Sequence, residues 1–600
     1  MFPFGVTFYP DQWPVETWAE NFKNIKNAGF NIVRFGEMAW DWVEPDAGKF
    51  SFAGLDRAMD LCAKHGLKVL LGIPTSQVPP WFHRKYPGSR PVAQDGTLYP
   101  EAGPRPNICR DNPNYRKHAE RLARKLVTRY SRHPALHIWQ IDNEPVYPPL
   151  DHTTSNDFCH CQDSRRSFIV WAKKKYGSLE KLNEVWGTKF WTNTLSRFDA
   201  IQTPKAGVWE AVSPHIFLDW FRFKTDRLTD WLDHLAKIVK AIDPKHKVGA
   251  NGFIGLCTRV PDHSQLAGNL DWYGLDIYPK GGKMGVRDYA FMLDLWKSYV
   301  RGKKAEFQIT ELQGGQNVRW GNPDYVEGPE IEWWTRMALE RGAKALLYHA
   351  WRPPLFGAET GGFGILKADG SPTKRLEVIK KLAKTINTPH PIPHTNKIAV
   401  AYLRSSDIQS YQEQGPPRGI AGQWEAVRVD IGLMYGMTSI RGAYQLAYDK
   451  YKAADFIFEQ DLEAGNLPYS SLLLPNPYLL SLKQFSNLRK WISRGGTLIT
   501  EARFGLKDEN GHLYQSPLSE KLLGLTYDRN EITEDGFLDV FEGKGRKHQL
   551  IEKKIGKGKV LYANFNVFSL IRKESRQARS KGKKKWQSTD TLIRKIKNSL

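Results

Sequence analysis

The sequence predicts two α/β units in series: an N-terminal (β/α)₈ TIM barrel, then an open-sheet α/β domain of the flavodoxin or amidotransferase kind. From the N-terminus to about residue 390, eight strand-like runs alternate with amphipathic helical runs. Such alternation is typical of parallel sheets, and eight repeats over this length favour a closed barrel. A proline-spaced stretch at residues 389–395 (PHPIPHT) then separates these repeats from shorter buried strands.

Eight short apolar runs define the barrel strands. Several contain β-branched and aromatic residues, which suits strands that are covered on both faces. In chain order they span residues 6–9, 32–35, 67–71, 137–141, 247–251, 273–278, 307–310 and 345–349. In a barrel of this kind the active site lies at the carboxyl ends of the strands.

The segments between these strands have the periodicity of helices. Pro14 and Gly29 bound the helical run before the second strand, and residues 114–132 form a basic helix before the fourth. A long insertion at about residues 146–214 follows the fourth strand, and an amphipathic, aromatic-rich run at residues 215–242 leads into the fifth. We therefore expect each strand to be followed by at least one covering helix.

The predicted domains are a catalytic barrel at residues 1–390, an open-sheet domain at residues 396–571 and a basic tail at residues 572–600. Short buried strands and one helical run define the second domain, at residues 397–402, 471–474, 482–493 (helical), 496–500 and 556–564. This half of the sequence contains no acid pair and no metal-ligand cluster, so we expect it to serve packing and assembly. We expect the tail to be solvated.

Composition limits the class of protein. With 41% apolar and 25% charged residues, the 600-residue chain is typical of a multidomain globular protein. It has no run of about 18 apolar residues and its N-terminus lacks signal-peptide regions, so we expect a cytoplasmic protein without a membrane partner. Much of the net charge of +23 lies in residues 572–597. A local basic tail is weak evidence for nucleic-acid binding, so we expect no nucleic-acid partner.

Two glutamates stand at the ends of buried strands. Residues 136–145 (LHIWQIDNEP) form an apolar strand that ends in Asn143 and Glu144, and Pro145 stops it. Residues 305–311 (AEFQITE) repeat the pattern and end in Glu311 before a Gly–Gly turn. Either acid alone is consistent with a solvated loop, but the repetition on two barrel strands predicts a facing pair of carboxylates.

The other strand ends carry residue types that suit a sugar. Acids attack or protonate an acetal, amides and carboxylates bind hydroxyls, and flat aromatic rings pack against a pyranose face. No GxGxxG, P-loop or HExxH motif is present in the sequence. The polar and aromatic residues at the predicted strand ends are Tyr9, Arg34, Glu37, Asn143, Glu144, Asp276, Tyr278, Glu311, His349, Trp351 and Arg352.

With these residues identified, the chain resembles glycoside hydrolase family 42, a family of retaining β-galactosidases. The resemblance is densest at residues 8–14 (FYPDQWP), 34–40 (RFGEMAW), 139–144 (WQIDNE) and 310–314 (TELQG). It implies that Glu144 is the acid/base and Glu311 the nucleophile. It also implies sugar-binding roles for Arg105, Asn143, Tyr278, Trp320 and Glu359.

The resemblance has one departure near the sugar site. The family pattern places a His three residues after the acid that matches Glu359, whereas this chain has Gly362. Loss of one hydrogen-bond donor to a hydroxyl shifts specificity by about 1 kcal/mol or more. Galactose is therefore the leading prediction for the glycone, with glucose, mannose and fucose as alternatives.

The resemblance also implies a structural zinc site. Cys109, Cys159 and Cys161 match three of the family's four cysteine ligands, and Ser164 replaces the fourth. Three thiolates hold zinc if His160, Asp163 or water supplies the last ligand. The alternative is a degenerate site with free thiols. No cofactor is expected for catalysis itself.

The last expectation concerns assembly. The family's open-sheet domain packs against neighbouring barrels in a homotrimer, and the resemblance extends that arrangement to this chain. The aromatic residues of the insertion, which would be partly exposed on a lone barrel, are a second argument; they include Trp171, Trp186, Phe190 and Trp191. The alternative for assembly is that these aromatics pack beneath their own insertion.

Two alternatives concern the function itself. The chain could be a non-catalytic sugar-binding protein, or a nucleic-acid-binding protein that uses the basic tail.

Overall fold

Eight parallel strands close into a barrel in the computed structural model of the chain, which confirms the predicted fold class. The strands are β1 (Phe4–Thr7), β2 (Ile32–Phe35), β3 (Lys68–Ile73), β4 (Leu136–Ile141), β5 (Lys247–Phe253), β6 (Trp272–Ile277), β7 (Glu306–Gln313) and β8 (Leu346–His349). Each strand pairs with the next, and β8 closes the barrel against β1. Their side chains are almost all buried, as expected for strands covered on both faces.

The structure describes most of the chain, in segments separated by short gaps. The described residues are 1–102, 105–147, 158–205, 213–253, 261–318, 324–388, 390, 397–414, 435–533, 536–572 and 587–600. Trp320, one of the predicted sugar-binding residues, lies outside them. So does the proline-spaced stretch at residues 389–395, except for His390.

Helices surround the barrel. They are α1 (Trp18–Asn27), α2 (Trp40–Val43), α3 (Ala53–Lys64), α4 (Pro80–Lys85), α5 (Pro113–Tyr130), α6 (Gln162–Tyr176), α7 (Leu179–Trp186), α8 (Pro214–Ile242), α9 (His263–Leu266), α10 (Val286–Val300), α11 (Gly328–Glu340) and α12 (Lys374–Thr385). The predicted helix after Pro14 begins only at Trp18, because Pro14 is extended and a 3₁₀ turn at Val15–Thr17 comes first.

The helix α8 connects the insertion to β5 and is 29 residues long. Ser213 caps it by accepting a hydrogen bond from the amide of His215, and Pro214 occupies its first turn. Phe217, Trp220, Trp231 and other apolar residues on it are buried, while charged residues recur along its length. In the described part of the chain no helix is long and apolar enough to cross a membrane.

The insertion after β4 buries part of its aromatic surface in a core of its own. Trp186 is 1% exposed and packs with Phe168 and Trp220, so the expectation that it contributes exposed surface was wrong. The physical reason is that α6, α7 and the start of α8 fold over one another and share an apolar centre. Phe190 and Trp191, by contrast, are 66% and 63% exposed, and their rings stack with centroids 4.6 Å apart.

A six-stranded sheet forms the core of the second half. Its strands, in spatial order, are β10 (Asp455–Ile457), β9 (Ile398–Ala401), β11 (Ser471–Leu474), β12 (Thr497–Thr500), β16 (Gly558–Ala563) and β15 (Leu550–Ile555), with a separate β13 (Tyr527–Thr533)–β14 (Gly536–Phe541) hairpin. All pairs in the sheet are parallel except β15–β16. The open α/β sheet is therefore confirmed.

The remaining helices flank this sheet and tie it to the barrel. They are α13 (Arg404–Gln414), α14 (Tyr435–Tyr451), α15 (Glu459–Ala464), α16 (Leu482–Ser493), α17 (Leu518–Leu523) and α18 (Gln587–Ser599). Asp294 on α10 of the barrel is buried and accepts hydrogen bonds from the Tyr444 hydroxyl at 2.5 Å and the Ala454 amide at 3.2 Å. Because a buried carboxylate needs such donors, this contact holds the two halves in one arrangement.

The end of the basic tail is packed rather than solvated, so that expectation was wrong for α18. Ile593 and Ile596 lie on one face of this helix and are 5% and 0% exposed, in the same apolar cluster as the barrel helices. The Tyr451 hydroxyl also donates to the backbone carbonyl of Leu600 at 2.6 Å. The spacing of three between the two isoleucines is the helical signal that the high charge of the tail obscured.

Candidate active site

Three carboxyl groups meet at the carboxyl ends of β4, β6 and β7. One oxygen each from Glu144, Asp276 and Glu311 lies within 4.8 Å of the other two. Glu144 and Glu311 are both 5% exposed, whereas Asp276 is completely buried. The two glutamates predicted to face each other from separate strands are thus brought together, and the aspartate lies beside them.

The turn after β4 is shaped so that Glu144 points into the barrel mouth. Asp142 and Glu144 both have positive φ, at 60° and 45°, a conformation that ordinary side chains rarely adopt. Arg110 holds the Asp142 carboxylate in a buried ion pair, and Asp142 in turn accepts a hydrogen bond from the Asn143 amide at 2.7 Å. The Glu144 amide donates to Asn251 Oδ1 at 3.0 Å. These contacts offset the backbone strain, which is common where a side chain must be aimed.

The two polar atoms of the Asn143 side chain differ in their hydrogen bonds: Oδ1 accepts several, whereas Nδ2 donates none to the described residues. Its Oδ1 accepts hydrogen bonds from Arg34 at 2.6 Å, Gln140 at 3.0 Å and Asn251 at 2.8 Å. Its Nδ2 is buried and finds no hydrogen-bond partner among the described residues. A buried donor without a partner is costly, so this group is suited to a ligand hydroxyl.

Glu311 is held by a cation and a phenol. Arg34 at the end of β2 donates from Nη1 to Glu311 Oε1 at 2.6 Å, and the Tyr278 hydroxyl donates to Glu311 Oε2. Burial alone would raise the pKa of Glu311, but the charges of Arg34 and His349 and the hydrogen bond from Tyr278 outweigh it. They keep the pKa of this carboxyl below its ordinary value.

Glu144 has the opposite electrostatic environment. Its burial raises its pKa, and the negative charge of Glu311 adds to that effect. Arg105 opposes it, because Nη2 of Arg105 lies 2.6 Å from Glu144 Oε2, but the pKa of Glu144 still stands above its ordinary value. The two facing glutamates therefore differ, because the surroundings of Glu311 lower its pKa whereas those of Glu144 raise its pKa.

Asp276 is the third carboxyl of the group. Burial and the neighbouring charges of Glu311 and Glu144 raise its pKa well above the ordinary range. Its oxygens accept hydrogen bonds from Thr310 Oγ1 at 2.7 Å and from Asn251 Nδ2. The raised pKa favours the uncharged form of this carboxyl, which would reduce the negative charge of the site.

Tyr278 and Glu359 complete the predicted set on the side of β8. The Tyr278 ring packs against Phe363 and His349, with centroids 5.0 Å and 6.0 Å away. Glu359 lies on the loop after β8, with Oε2 at 3.2 Å from Nε2 of His349. The predicted site residues that the structure describes line one bowl, because each is linked to a neighbour by contact or charge. They are Arg105, Asn143, Glu144, Tyr278, Glu311 and Glu359.

Four further side chains of the bowl had no role assigned from the sequence: Arg34, Asp276 and His349 were predicted only as strand-end residues, and Asn251 was not predicted. Arg34, Asn251, Asp276 and His349 all contact a predicted residue directly or through one partner. Arg34 carried a usable signal in the sequence, since a charged residue in the apolar run 32–35 has to be paired once it is buried. Asn251 carried none, because its role follows from the pairing of β5 with β4.

The three predicted zinc-ligand cysteines form a separate buried cluster. Sγ atoms of Cys109, Cys159 and Cys161 lie within 4.8 Å of one another, and the Cys109 and Cys161 sulfurs are 3.3 Å apart. Ser164 lies beside them, with Oγ 3.4 Å from Cys109 Sγ and donating to Asp111 at 3.0 Å. Three soft donors with an adjacent oxygen have the chemistry of a tetrahedral zinc site.

Comparison with known proteins agrees with this architecture. A family model described as beta-galactosidase, glycoside hydrolase family 42, matches residues 7–388. Beta-galactosidase BgaB of Geobacillus is 28% identical over 540 residues, which cover 87% of this chain and 74% of the relative. A beta-galactosidase of Thermus thermophilus is 33% identical over 400 residues, which cover 64% of this chain and 60% of the relative.

Solved structures share the fold over nearly the whole length. A polyextremophilic beta-galactosidase from the haloarchaeon Halorubrum lacusprofundi superposes with a TM-score of 0.82 at 23% identity, covering 95% of this chain and 89% of that one. The family match includes all eight barrel strands apart from the first residues of β1. The chain therefore belongs to glycoside hydrolase family 42, the beta-galactosidase family.

Proposed function

We propose that the protein is a retaining exo-β-glycosidase that hydrolyses terminal, non-reducing β-D-galactosides by double displacement. The observation that carries this proposal is the facing pair Glu144 and Glu311, whose carboxylate oxygens lie within 4.8 Å and whose pKa values are shifted in opposite directions. Retaining enzymes keep their two carboxyl groups about 5–5.5 Å apart, whereas inverting enzymes separate them by about 6.5–9.5 Å. The spacing supports a covalent intermediate.

Each glutamate then has one role. Glu311, ionised beside Arg34, attacks the anomeric carbon and forms a glycosyl-enzyme while the bond to the aglycone breaks. Glu144, whose raised pKa favours the protonated form, gives its proton to the leaving oxygen. In the second step Glu144 takes a proton from water, the water oxygen attacks the anomeric carbon, and Glu311 leaves as a carboxylate. The products are the free sugar and the released alcohol.

The bowl also offers contacts for the hydroxyls of the sugar. Asn143 presents the unpartnered Nδ2 described above, on the residue next to Glu144. Arg105 and Glu359 present a cation and a carboxylate, and Tyr278 an aromatic ring beside the nucleophile. We assign these four residues to glycone binding, as the resemblance implies. Trp320 keeps the same predicted role.

A second candidate keeps the chemistry and changes the glycone to glucose, mannose or fucose. The observation in its favour is Gly362, because a Cβ built at this position would lie 2.5 Å from Cγ2 of Val318. The histidine of the family pattern therefore has no room here unless Val318 moves. Activity on a panel of aryl glycosides separates the two candidates.

We also propose a structural zinc ion at Cys109, Cys159 and Cys161, with an oxygen of Ser164 or Asp111 as the fourth ligand. Zinc would cross-link the loop before α5 to the start of α6. His160 and Asp163 face other partners: Nδ1 of His160 lies 2.9 Å from Thr203 Oγ1, and Asp163 accepts from Asn112 at 2.8 Å. Ser164, whose hydroxyl already touches the thiols, is better placed.

The third proposal is a homotrimer. Phe190 and Trp191 form an exposed stacked pair on the insertion, and exposed apolar patches of this kind often mark interfaces. A closed ring of three subunits needs two different patches on each subunit. We assign one of them to this pair and the other to the open-sheet domain.

The first prediction tests the catalytic pair. Glu311→Ala should lower kcat/KM for nitrophenyl β-galactoside by about 10⁴-fold or more, because the covalent step loses its nucleophile. Glu144→Ala should spare the first step for substrates with good leaving groups, and added azide should restore turnover because azide needs no general base. A panel of nitrophenyl β-galactoside, glucoside, mannoside and fucoside tests the glycone. Full activity of Glu311→Ala, or no hydrolysis by the wild type, would contradict the proposal.

The second prediction concerns the pH profile. Activity should fall at low pH as Glu311 becomes protonated and at high pH as Glu144 loses its proton through its raised pKa. Because Arg105 lowers the pKa of Glu144, Arg105→Gln should move the basic limb of kcat/KM to higher pH by about 1 unit. Arg105→Lys keeps the charge and is the matched control. A basic limb that stays in place or moves to lower pH in Arg105→Gln contradicts the assignment.

The third prediction concerns zinc. Protein expressed with zinc should contain one ion per chain by mass spectrometry, and Cys161→Ser should lose it because only two thiolates remain. Cys62→Ser is the control, since Cys62 is a buried thiol outside the cluster. Ser164→Cys should bind zinc more tightly in a chelator competition. Metal-free wild-type protein together with unchanged affinity in Ser164→Cys would show that the thiols are free.

The fourth prediction concerns assembly. Light scattering should give a mass about three times the 68.8 kDa of one chain. Replacing Phe190 and Trp191 together by Ser should weaken the assembly, because the pair would bury its apolar surface at the interface. Val15→Ser, at a residue that is 41% exposed on the barrel, is the control. An active protein with the mass of a single chain at micromolar concentration would exclude the trimer.

A further inference from the structure

A histidine at the end of β8 connects the barrel wall to the bowl. His349 is 6% exposed, and its Nδ1 lies 3.0 Å from Oγ1 of Thr7 on the neighbouring strand β1. Its Nε2 lies 3.2 Å from Oε2 of Glu359. Both ring nitrogens therefore have partners, one on a barrel strand and one on the loop that follows β8.

The orientation of this imidazole is fixed by its surroundings. Aromatic rings enclose it on three sides: Tyr9, Tyr278 and Phe363 have ring centroids 6.2 Å, 6.0 Å and 5.4 Å from that of His349. Burial by itself would lower the pKa of His349, but the hydrogen bond with Glu359 and the charges of Glu311 and Glu359 raise it above its ordinary value. The neighbouring rings restrict the orientations open to the imidazole, and the raised pKa shifts it toward the positively charged form.

Glu359 and His349 differ in where they lie, because His349 ends a barrel strand whereas Glu359 is on a loop. It lies on a loop next to Gly361 and Gly362, which offer no side chain that could hold a carboxylate. Its own side chain is 32% exposed toward the bowl, whereas that of His349 is 7% exposed. A group on a loop is placed less accurately than one on a strand unless a supporting residue fixes it.

Resting on the proposed function, we infer that His349 is a positioning residue that clamps Glu359 so that the carboxylate accepts a hydrogen bond from a ring hydroxyl of the glycone. The carboxylate is the acceptor and the sugar hydroxyl the donor. Thr7 and His349 transmit the rigidity of the paired strands β1 and β8 to that acceptor. His349 therefore gives Glu359 one contact with the barrel wall, and Gly362 has no side chain that could add a contact from the loop.

The inference makes His349 a determinant of glycone selectivity. A carboxylate held in one orientation binds a substrate more tightly when the hydroxyl of that substrate points toward it. When the hydroxyl is missing or inverted, the carboxylate of Glu359 loses this hydrogen bond. Without the clamp, the Glu359 carboxylate is expected to adopt more orientations and to lose this discrimination. The catalytic pair should keep its geometry, because Arg34 and Tyr278 hold Glu311 independently of Glu359. Loss of the His349 charge should raise the pKa of Glu311 and move the acidic limb of the pH profile, so the variants are compared on the pH-independent plateau.

A double-mutant cycle on the full-length protein tests the clamp. Glu359→Gln removes the charge of the acceptor, His349→Phe removes both hydrogen bonds while keeping a flat ring, and His349→Gln keeps a hydrogen-bond donor. We expect each of the first two variants to lower kcat/KM for nitrophenyl β-galactoside by about 10-fold or more, and His349→Gln to recover part of the loss. On the pH-independent plateau the double variant should be no slower than Glu359→Gln alone, since there the histidine acts through Glu359.

Substrates that lack a single hydroxyl distinguish the clamp from a purely structural role of His349, because a structural role would change kcat/KM equally for all of them. With 3-deoxy, 4-deoxy and 6-deoxy aryl β-galactosides, the effect of His349→Phe should shrink to within about 2-fold for the one substrate that lacks the bound hydroxyl. Equal losses on all three substrates, or losses that add in the double variant, would overturn the inference. Thermal midpoints of the wild type and the four variants identify any variant that has failed to fold, and His349→Gln carries the test if His349→Phe has failed.

Failure of the proposed function would look different. If the wild type hydrolyses no aryl glycoside, calorimetric titration of the same five proteins with galactose, glucose and mannose replaces the kinetic cycle. Binding of one sugar that weakens in both single variants, without further loss in the double variant, supports the clamp in a sugar-binding protein. Binding that is unaffected by either substitution, or the absence of binding to the wild type, overturns it.

Discussion

The buried guanidinium of Arg34 is the interaction on which the site depends. It has no exposed surface and donates at 2.6 Å to Gln140, Asn143 and Glu311, with Glu37 at 3.3 Å. A buried charge is tolerated only when it is paired and hydrogen-bonded, so these partners are required by the cation as much as it is required by them. One side chain thereby sets the ionised state of Glu311 and the orientation of the Asn143 amide.

The bowl divides its charges because its members have different neighbours. Three carboxyl groups within 4.8 Å cannot all be ionised at low cost. Arg34 and Tyr278 favour the ionised form of Glu311, while burial and that same charge favour the protonated forms of Glu144 and Asp276. The arrangement that makes the site stable is therefore also the one that a nucleophile and a general acid need.

The open-sheet half, the helix α18 and the insertion all pack against other elements of the chain. Asp294 on α10 satisfies the Tyr444 hydroxyl and the Ala454 amide of the open-sheet half, and α18 places Ile593 and Ile596 in the common core. The insertion buries Trp186 but leaves Phe190 and Trp191 in solvent. Packing within the chain thus buries many of the apolar residues that the structure describes, and the stacked pair Phe190 and Trp191 is among the large hydrophobic residues that stay exposed.

Local patterns in the sequence determined the elements of the fold. The apolar runs placed β2 at residues 32–35 and β11 at residues 471–474 with the bounds that the structure shows, because strand period and turn residues are short-range properties. The strand-end rule also selected Glu144 and Glu311. Which side chains contact each other across the site was decided only by the closed barrel. Asn251 contacts Glu144 because β5 pairs with β4, and His349 contacts Thr7 because β8 pairs with β1. These residues are far apart in the chain, so no local periodicity records their contact, and the long-range pairing of strands has to form before the site exists.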